Sequence, residues 1–371
     1  MTDELDLLYT EVEDDLRATV REALADRCDP AAVAALYDGD RSVVPSVWTL
    51  VASDLGLAGL LVPEERGGAG ASAREAAVVL EELGRAAAPV PYLTSAVVAT
   101  TALLAAGSDL VSSLASGERV AALAVPLSTG PDDPIPTVSA DGRLTGTVTS
   151  VAGALEADVL LVPATGDGGT ALYAVPADRA RVAPVVSLDM TRQLADVSFA
   201  DVPGDLVVAD GEAAIRHGLR AGAALLASEQ LGLARACLDD TVGYLKTRRQ
   251  FGRPVGGFQA LKHRLADLAT QVDSGNAAAR HAAAVLASDD PDLPVAAAVA
   301  QAFCSDLAVL AAEEAIQLHG GIGMTWEHPA HLLLKRAKAD QIALGSPGAH
   351  RARLAELVDL PASGPVQQAA R

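Results

Sequence analysis

Arg248-Arg249-Gln250-Phe251-Gly252-Arg253-Pro254-Val255, followed at once by Phe258-Gln259 and Lys262-His263-Arg264, lies between two Ala- and Leu-rich segments with helical spacing. The block sets cations beside amide and aromatic side chains. A guanidinium forks two hydrogen bonds onto a phosphate, which an ammonium cannot. The stretch therefore reads as a turn that grips an anionic cofactor. Further along, Gln317-Leu318-His319-Gly320-Gly321-Ile322-Gly323-Met324-Thr325-Trp326-Glu327-His328-Pro329 gathers small residues that let a bulky anion approach the backbone.

Composition narrows the choice. The chain has 371 residues, 50% of them hydrophobic, enough for two or three domains with a substantial core. Lys and Arg number 28 against 48 Asp and Glu, a net charge of −20 whose field argues against a nucleic-acid partner. On that background the basic cluster at 246–264 stands out as a local offset for an anionic ligand. Cys28, Cys237 and Cys304 are far apart and odd in number, with neither metal spacing nor a disulfide framework, which fits a reducing compartment. The acidic Met1-Thr2-Asp3-Glu4 start is unlike a signal peptide. No uninterrupted apolar run reaches the roughly 18 residues of a membrane span. The expectation is a cytoplasmic protein with no membrane partner.

Three zones follow one another. From about Glu4 to Gly117, Leu5, Leu8, Val12, Leu16, Val20 and Leu24 recur at helical intervals, interrupted by the Gly- and Pro-containing stretch at 55–70. From about Arg119 to Val208, short β-type runs (120–125, 144–151, 159–162, 171–175, 182–188, 196–199) alternate with turn residues, the pattern of a small antiparallel sheet or barrel. Helix returns at 211–246, 257–287, 293–319 and 327–340. These zones predict domains at 1–118, 119–210 and 211–360, with a flexible tail at 361–371.

The order helical domain, small β-domain, helical bundle, with the two blocks quoted above, resembles the acyl-CoA dehydrogenase family over essentially the whole chain. Gly56-Leu57, Val62-Pro63-Glu64-Glu65-Arg66-Gly67-Gly68-Ala69-Gly70 and Glu81-Glu82-Leu83-Gly84-Arg85 are similar to the family's substrate-side loop and following helix. The implied fold is mostly α with a central β domain: an N-terminal helical domain, a small middle β-barrel and a C-terminal four-helix bundle. The implied cofactor is FAD, held by Arg248, Gln250, Phe251 and Gln259 from the first block and by Gln317, His319, Gly320 and Gly321 from the second. In the family each FAD is gripped by two chains, so the resemblance implies a homo- or hetero-oligomer. An acyl-CoA substrate and an electron-transfer flavoprotein complete the implied partners.

That chemistry is α,β-desaturation of an acyl thioester: a carboxylate removes the α-proton and the β-hydrogen leaves as hydride to the flavin. Matching Lys338-Ala339-Asp340-Gln341-Ile342-Ala343-Leu344-Gly345-Ser346 onto the family's Tyr-Glu-Gly-Thr turn sets Leu344 where the glutamate stands. The alternative family position, on the helix leading into the Arg-Phe-Gly turn, falls at Gly222. Glu229 lies seven residues on, two turns with about 20° of drift, in an apolar run where desolvation would raise its pKa as a base requires. Glu229 is the expected catalytic base. The competing readings are a glutamate capped by Arg220 or Arg235, or a chain without a base. Arg220, on a helix that resembles those of actinobacterial members acting on sterol side chains and other bulky acyl-CoAs, is the expected substrate contact. The family's Thr-Glu-Pro-x-x-Gly-Ser loop is reduced to Ala124-Val125-Pro126-Leu127-Ser128-Thr129-Gly130, and its Trp-Ile-Thr strand to Val148-Thr149-Ser150-Val151-Ala152-Gly153. Two alternatives to a competent desaturase follow: a half-site partner subunit of a hetero-oligomeric enzyme, and a flavin monooxygenase on the same fold. Glu327-His328-Pro329-Ala330-His331 lacks a third ligand, so no metal site is expected.

Overall fold

The computed structural model describes residues 5–166 and 169–360; residues 1–4, the 167–168 part of the predicted glycine turn and the predicted tail 361–371 lie outside the described residues. The chain opens with α1 (Glu11–Arg27), whose capping box pairs Thr10 and Glu13: the Glu13 N–H donates to Thr10 Oγ1 at 3.2 Å and the Thr10 N–H to Glu13 Oε2 at 2.8 Å. Short helices α2 (Pro30–Ala34) and α3 (Val43–Trp48) follow. A second capping box, Ser72 with Glu75, starts α4 (Ala73–Arg85). A π-helical turn at Tyr92–Ala99 runs into α5 (Thr100–Ala105), and α6 (Ser112–Ala115) ends the helical zone.

The middle of the chain is a sheet of β1 (Ala121–Leu123), β2 (Val138–Ala140), β3 (Leu144–Ala152), β4 (Val159–Gly166), β5 (Gly169–Pro176), β6 (Arg181–Val185), β7 (Leu194–Val202) and β8 (Asp205–Val208). Its order is β6-β7-β3-β2-β4-β5-β8, with β1 pairing parallel to β4. The β4–β5 hairpin sets Val159 opposite Pro176 and Leu161 opposite Ala174, and Leu160, Val162, Leu172 and Val175 are buried.

The C-terminal helices are α7 (Glu212–Thr247), α8 (Gln259–Ala287), α9 (Leu293–His319), α10 (Ala330–Ile342) and α11 (Pro347–Leu357). Leu231, Val272, Leu307 and Ala308 belong to the bundle's apolar centre. The stretch Leu293–Met324 is long and apolar enough to cross a membrane by composition, yet 72% of its most apolar window is buried inside the fold, as a core helix requires. α4 crosses α7 at backbone distance. A Cβ on Gly84 would lie 2.1 Å from the Glu229 carbonyl oxygen, and one on Gly232 1.9 Å from that of Glu81. Any side chain there would force the helices apart, so the two glycines fix how the N-terminal helices dock on the bundle.

Candidate functional site

Past the end of α7, the Arg-Phe-Gly block forms a two-residue hairpin between β9 (Arg249–Gln250) and β10 (Arg253–Pro254). Phe251 and Gly252 at its tip both have positive φ, 51° and 74°, as a type I′ turn demands. Asn-Gly is the favoured pair for such a tip. A phenylalanine there sits in a strained conformation, and its ring is 90% exposed. Strain borne to display an aromatic ring outward points to a contact the ring makes. Arg253 stacks its guanidinium 4.6 Å from the Phe258 ring, whereas Arg248 and Arg249 form no ion pair among the described residues. α8 begins at Gln259 with no side-chain cap, which leaves its first N–H groups available to an anion.

The second block ends α9. Gly320 has φ 66°, and around a Cβ at either Gly320 or Gly321 no heavy atom lies within 4 Å. Their backbone therefore borders open space. Gln317, Gly320 and Gly321 are exposed, but His319 is buried. Its ring stacks on Tyr244 of α7 at 4.5 Å, and Arg264 near the start of α8 pairs with Glu314 of α9 at 2.6 Å. The hairpin and the glycine corner thus share one end of the bundle. Unpaired guanidiniums, amide side chains and bare glycine backbone are a donor set that fits a diphosphate. His319 faces inward, as support for the corner.

The other end of α7 tells a different story. Gly222 and Leu344, the two positions where the family resemblance sought a base, meet in space: a Cβ on Gly222 would lie 3.0 Å from Leu344 Cδ1 and 2.6 Å from Val98 Cγ2. Leu344 borders an apolar cavity of only about 30 Å³, lined also by Leu93, Val98, Leu123, Val125 and Leu219. That is room for about two waters. The Leu344 N–H donates to the Leu127 carbonyl at 2.8 Å, bolting the end of α10 to the eroded loop of the sheet domain. No titratable group lines this cavity. A neighbouring polar cavity of about 20 Å³ reaches Thr191, Arg192 and Gln193.

Glu229 does not have the surroundings expected of a base. It is 1% exposed, lines none of these cavities, and one carboxylate oxygen accepts from Arg192 Nη2 at 2.5 Å and from Arg336 Nε at 2.6 Å. Burial pushes its pKa up, as anticipated, but the charges and hydrogen bonds of the two arginines outweigh burial and hold it down at about 2. The anticipated caps were also different ones, since Arg220 pairs with Asp132 and Arg235 with Glu81. Arg336 further donates to Thr191 Oγ1 at 2.7 Å and to the Ala88 carbonyl at 3.3 Å. Asp189 and Asp340 complete the cluster, 3.6 and 3.8 Å from Arg336. Five buried ionisable groups thereby tie the sheet domain, α7, α10 and the chain after α4 together. Sequence reasoning missed Arg192, Arg336 and Asp340, whose partners are distant in the chain and leave no local pattern.

Arg220 holds Asp132 Oδ1 at 3.0 Å, and Arg216 donates to the Pro131 and Asp133 carbonyls at 2.8 and 2.9 Å. Together with Arg353 these cations line or flank an open groove of about 490 Å³ over the 130–133 loop. Arg220 is therefore engaged by a carboxylate of its own chain.

Sequence models agree with the architecture. The acyl-CoA dehydrogenase N-terminal domain matches residues 10–112 and the C-terminal domain residues 209–358. Acyl-CoA dehydrogenase IpdE2 of Mycobacterium tuberculosis is 38% identical over 337 residues, which cover 90% of this chain and 92% of that protein. Among solved structures, the ChsE4-ChsE5 complex from Mycobacterium tuberculosis superposes with a TM-score of 0.84 at 28% identity, covering 97% of this chain and 100% of that one. A variant of the Tcur3481-Tcur3483 steroid ACAD gives 0.82 at 30% identity, over 94% and 98%. With both terminal domains matched and a relative of this identity aligned almost end to end, the chain belongs to the acyl-CoA dehydrogenase family.

Proposed function

We propose that this chain is the subunit of a hetero-oligomeric acyl-CoA dehydrogenase that supplies the dinucleotide-gripping half of a shared FAD site, with acyl oxidation taking place in a partner's cleft. The observation that carries the reading is the meeting of Gly222 and Leu344 at the wall of a nearly filled apolar cavity. Both base positions are empty of carboxylate, and the apolar cavity they border has room for only about two waters. The residues that would grip the diphosphate, Arg248, Gln259, Gln317, Gly320 and Gly321, are by contrast all exposed. Arg248 at the end of α7 is 26 residues from Gly222, about 39 Å by helical rise, too far for one dinucleotide to touch both ends of this chain.

In this reading Arg248 forks onto the diphosphate, Gln259 and Gln317 hydrogen-bond to the cofactor's polar edge, and Gly320 and Gly321 let it reach the backbone. Phe251 packs against the partner subunit from the hairpin tip. When bound, FAD supplies the acceptor for the β-hydrogen of an acyl thioester, and an electron-transfer flavoprotein then takes the electrons. Two copies of this chain would pair two clefts without a base, which favours a different, carboxylate-bearing partner. The solved neighbours whose names join two gene products, and the steroid named for one of them, support a mixed assembly acting on a bulky, ring-bearing acyl-CoA. No observation favours the monooxygenase reading.

The test is to purify the chain alone and with its native partner. The expected result is a colourless chain and a yellow complex bleached by acyl-CoA. A homo-oligomer of this chain that retains FAD and is bleached by acyl-CoA would overturn the proposal.

A further inference from the structure

The glycine corner is bracketed by two histidines in ring contact. His319 closes α9, and His328 stands two residues before α10. Their ring centroids are 4.3 Å apart with 49° between planes, and Tyr244 stacks on His319 at 4.5 Å with 29° between planes. Both tautomers can be read from the backbone. His319 Nδ1 is 2.7 Å from the Ala315 carbonyl, which only accepts, so this nitrogen carries the hydrogen. The Ala330 N–H, the first of α10, donates to His328 Nδ1 at 3.2 Å, so that nitrogen holds a lone pair. Below the corner, Gly323 packs so tightly that a Cβ would lie 2.6 Å from the Ile316 carbonyl oxygen and 2.9 Å from His319 Cβ.

The stack joins three pieces of chain: the last turns of the helix that carries the arginine hairpin, the end of α9, and the start of α10. Tyr244 is four residues before Arg248 and accepts its N–H at 2.8 Å. Resting on the half-site reading above, we infer that Tyr244, His319 and His328 form a three-ring joint that sets the separation between the arginine hairpin and the glycine corner, making them positioning residues for FAD. None of the three need touch the cofactor. Losing a ring lets the two halves of the grip drift apart, and an ordered pair of anion-binding edges becomes two loose ones.

The joint also has a protonation limit. His328 cannot take a proton on Nδ1 without giving up the Ala330 N–H, and an imidazolium there would face the His319 ring. Burial and the neighbouring His319 hold His328 below the ordinary histidine range, with Asp240 acting in the opposite sense. The charged and titratable groups around the cavity of about 100 Å³ beside the joint are Asp240 and Cys237 from α7, Arg85 from α4, Cys28 after α1, and the two histidines. Grip should therefore weaken as pH falls below the histidine range.

The experiment uses the assembly that forms in the cells producing this chain, purified through a tag on it, with FAD release followed by recovery of flavin fluorescence after dilution. Tyr244→Leu and His319→Leu are expected to speed release about tenfold, and Tyr244→Phe, which keeps the ring, to stay near wild type. Release from the wild type should quicken as pH falls, with a midpoint below the usual histidine value near 6.5, and His328→Asn, which keeps an acceptor for Ala330 N–H but cannot titrate, should abolish that acid limb. Arg248→Ala separates this inference from the reading beneath it. If Arg248→Ala quickens release while the ring variants do not and His328→Asn keeps the acid limb, the joint is refuted and the half-site stands. If Arg248→Ala is silent, or the assembly holds no flavin, the half-site reading falls and takes the joint with it. Should the ring variants fail to assemble, the His328→Asn pH profile decides alone.

Discussion

Glu229→Gln separates a structural carboxylate from a catalytic one. The substitution keeps shape but removes the charge that Arg192 and Arg336 share at 2.5 and 2.6 Å, in a cluster where every member is at most 7% exposed. Two guanidiniums would then face Asp189 and Asp340 without their nearest counter-charge. Breaking a buried pair by removing one partner costs about 3–5 kcal/mol, because the other charge stays buried and uncompensated. For a chain of this length that corresponds to a melting temperature lower by about 5 °C if the molecule unfolds as one unit. The pH sign follows from the depressed pKa. Glu229 binds its proton less readily folded than unfolded, so its contribution is complete above the ordinary value of 4.5 and is lost as pH falls toward about 2. Thermal melts of wild type and Glu229→Gln from pH 3 to 8 should diverge as pH rises through that window and run parallel above it. A variant that melts within about 1 °C of wild type at pH 7, yet abolishes flavin bleaching by acyl-CoA in the assembled enzyme, would refute the structural assignment and restore Glu229 as the base.

Asp340 should behave in the opposite sense. Burial first, and the Glu229 charge second, raise its pKa, and neither carboxyl oxygen has a hydrogen-bond partner among the described residues. Folding therefore takes up a proton, and stability falls as pH rises above the ordinary value of 3.8. Asp340→Asn should match wild type near pH 4 and gain roughly 1.4 kcal/mol per pH unit above it until the folded carboxyl ionises, as denaturant titrations at several pH values would measure. Phe251→Asn should relieve about 1 kcal/mol of turn strain while lowering flavin retention in the assembly, a split that melts and flavin absorbance read together. Leu344→Ala should cost about 2–5 kcal/mol and Gly222→Ala about 1–3 kcal/mol, the first by a void and the second by overpacking. Their double variant should be less destabilised than the two effects added, since Gly222 and Leu344 touch; simple additivity would contradict the contact.

Much of the fold was legible because long periodic segments leave clear marks. The predicted helix at 293–319 coincides with α9, and the 257–287 and 211–246 segments differ from α8 and α7 by one or two residues at an end. Elements too short for periodicity escaped: β2 at Val138–Ala140 and β8 at Asp205–Val208 are three and four residues long, and α11, opened by Ser346 and Pro347, was hidden behind a Gly-Ser-Pro-Gly string that reads as loop. The hairpin and glycine corner were found as motifs because their chemistry is local. The surroundings of Glu229 were misjudged for the opposite reason. An acid in an apolar run looks the same whether its neighbours are a substrate or two arginines 37 residues upstream and 107 downstream, and only tertiary structure supplies the partners.

The two ends of α7 carry opposite sequence choices, and the contrast argues for division of labour between subunits. At Gly218 and Gly222 the helix is pared to glycine, and Val98, Ala102 and Leu344 move in to within 3.0 Å of where side chains would begin. Side chains at these positions would overlap their neighbours, so this face of α7 has no room for a carboxylate. At the other end the chain keeps a strained Phe251, unpaired arginines and open glycine backbone, none of which stabilises an isolated subunit. Features that cost stability without local compensation persist where a ligand or partner uses them. On the reading proposed above, the part of the site that this chain does not form is supplied in trans. A carboxylate restored at Gly222 would have to displace Val98 and Leu344 before it could meet any substrate.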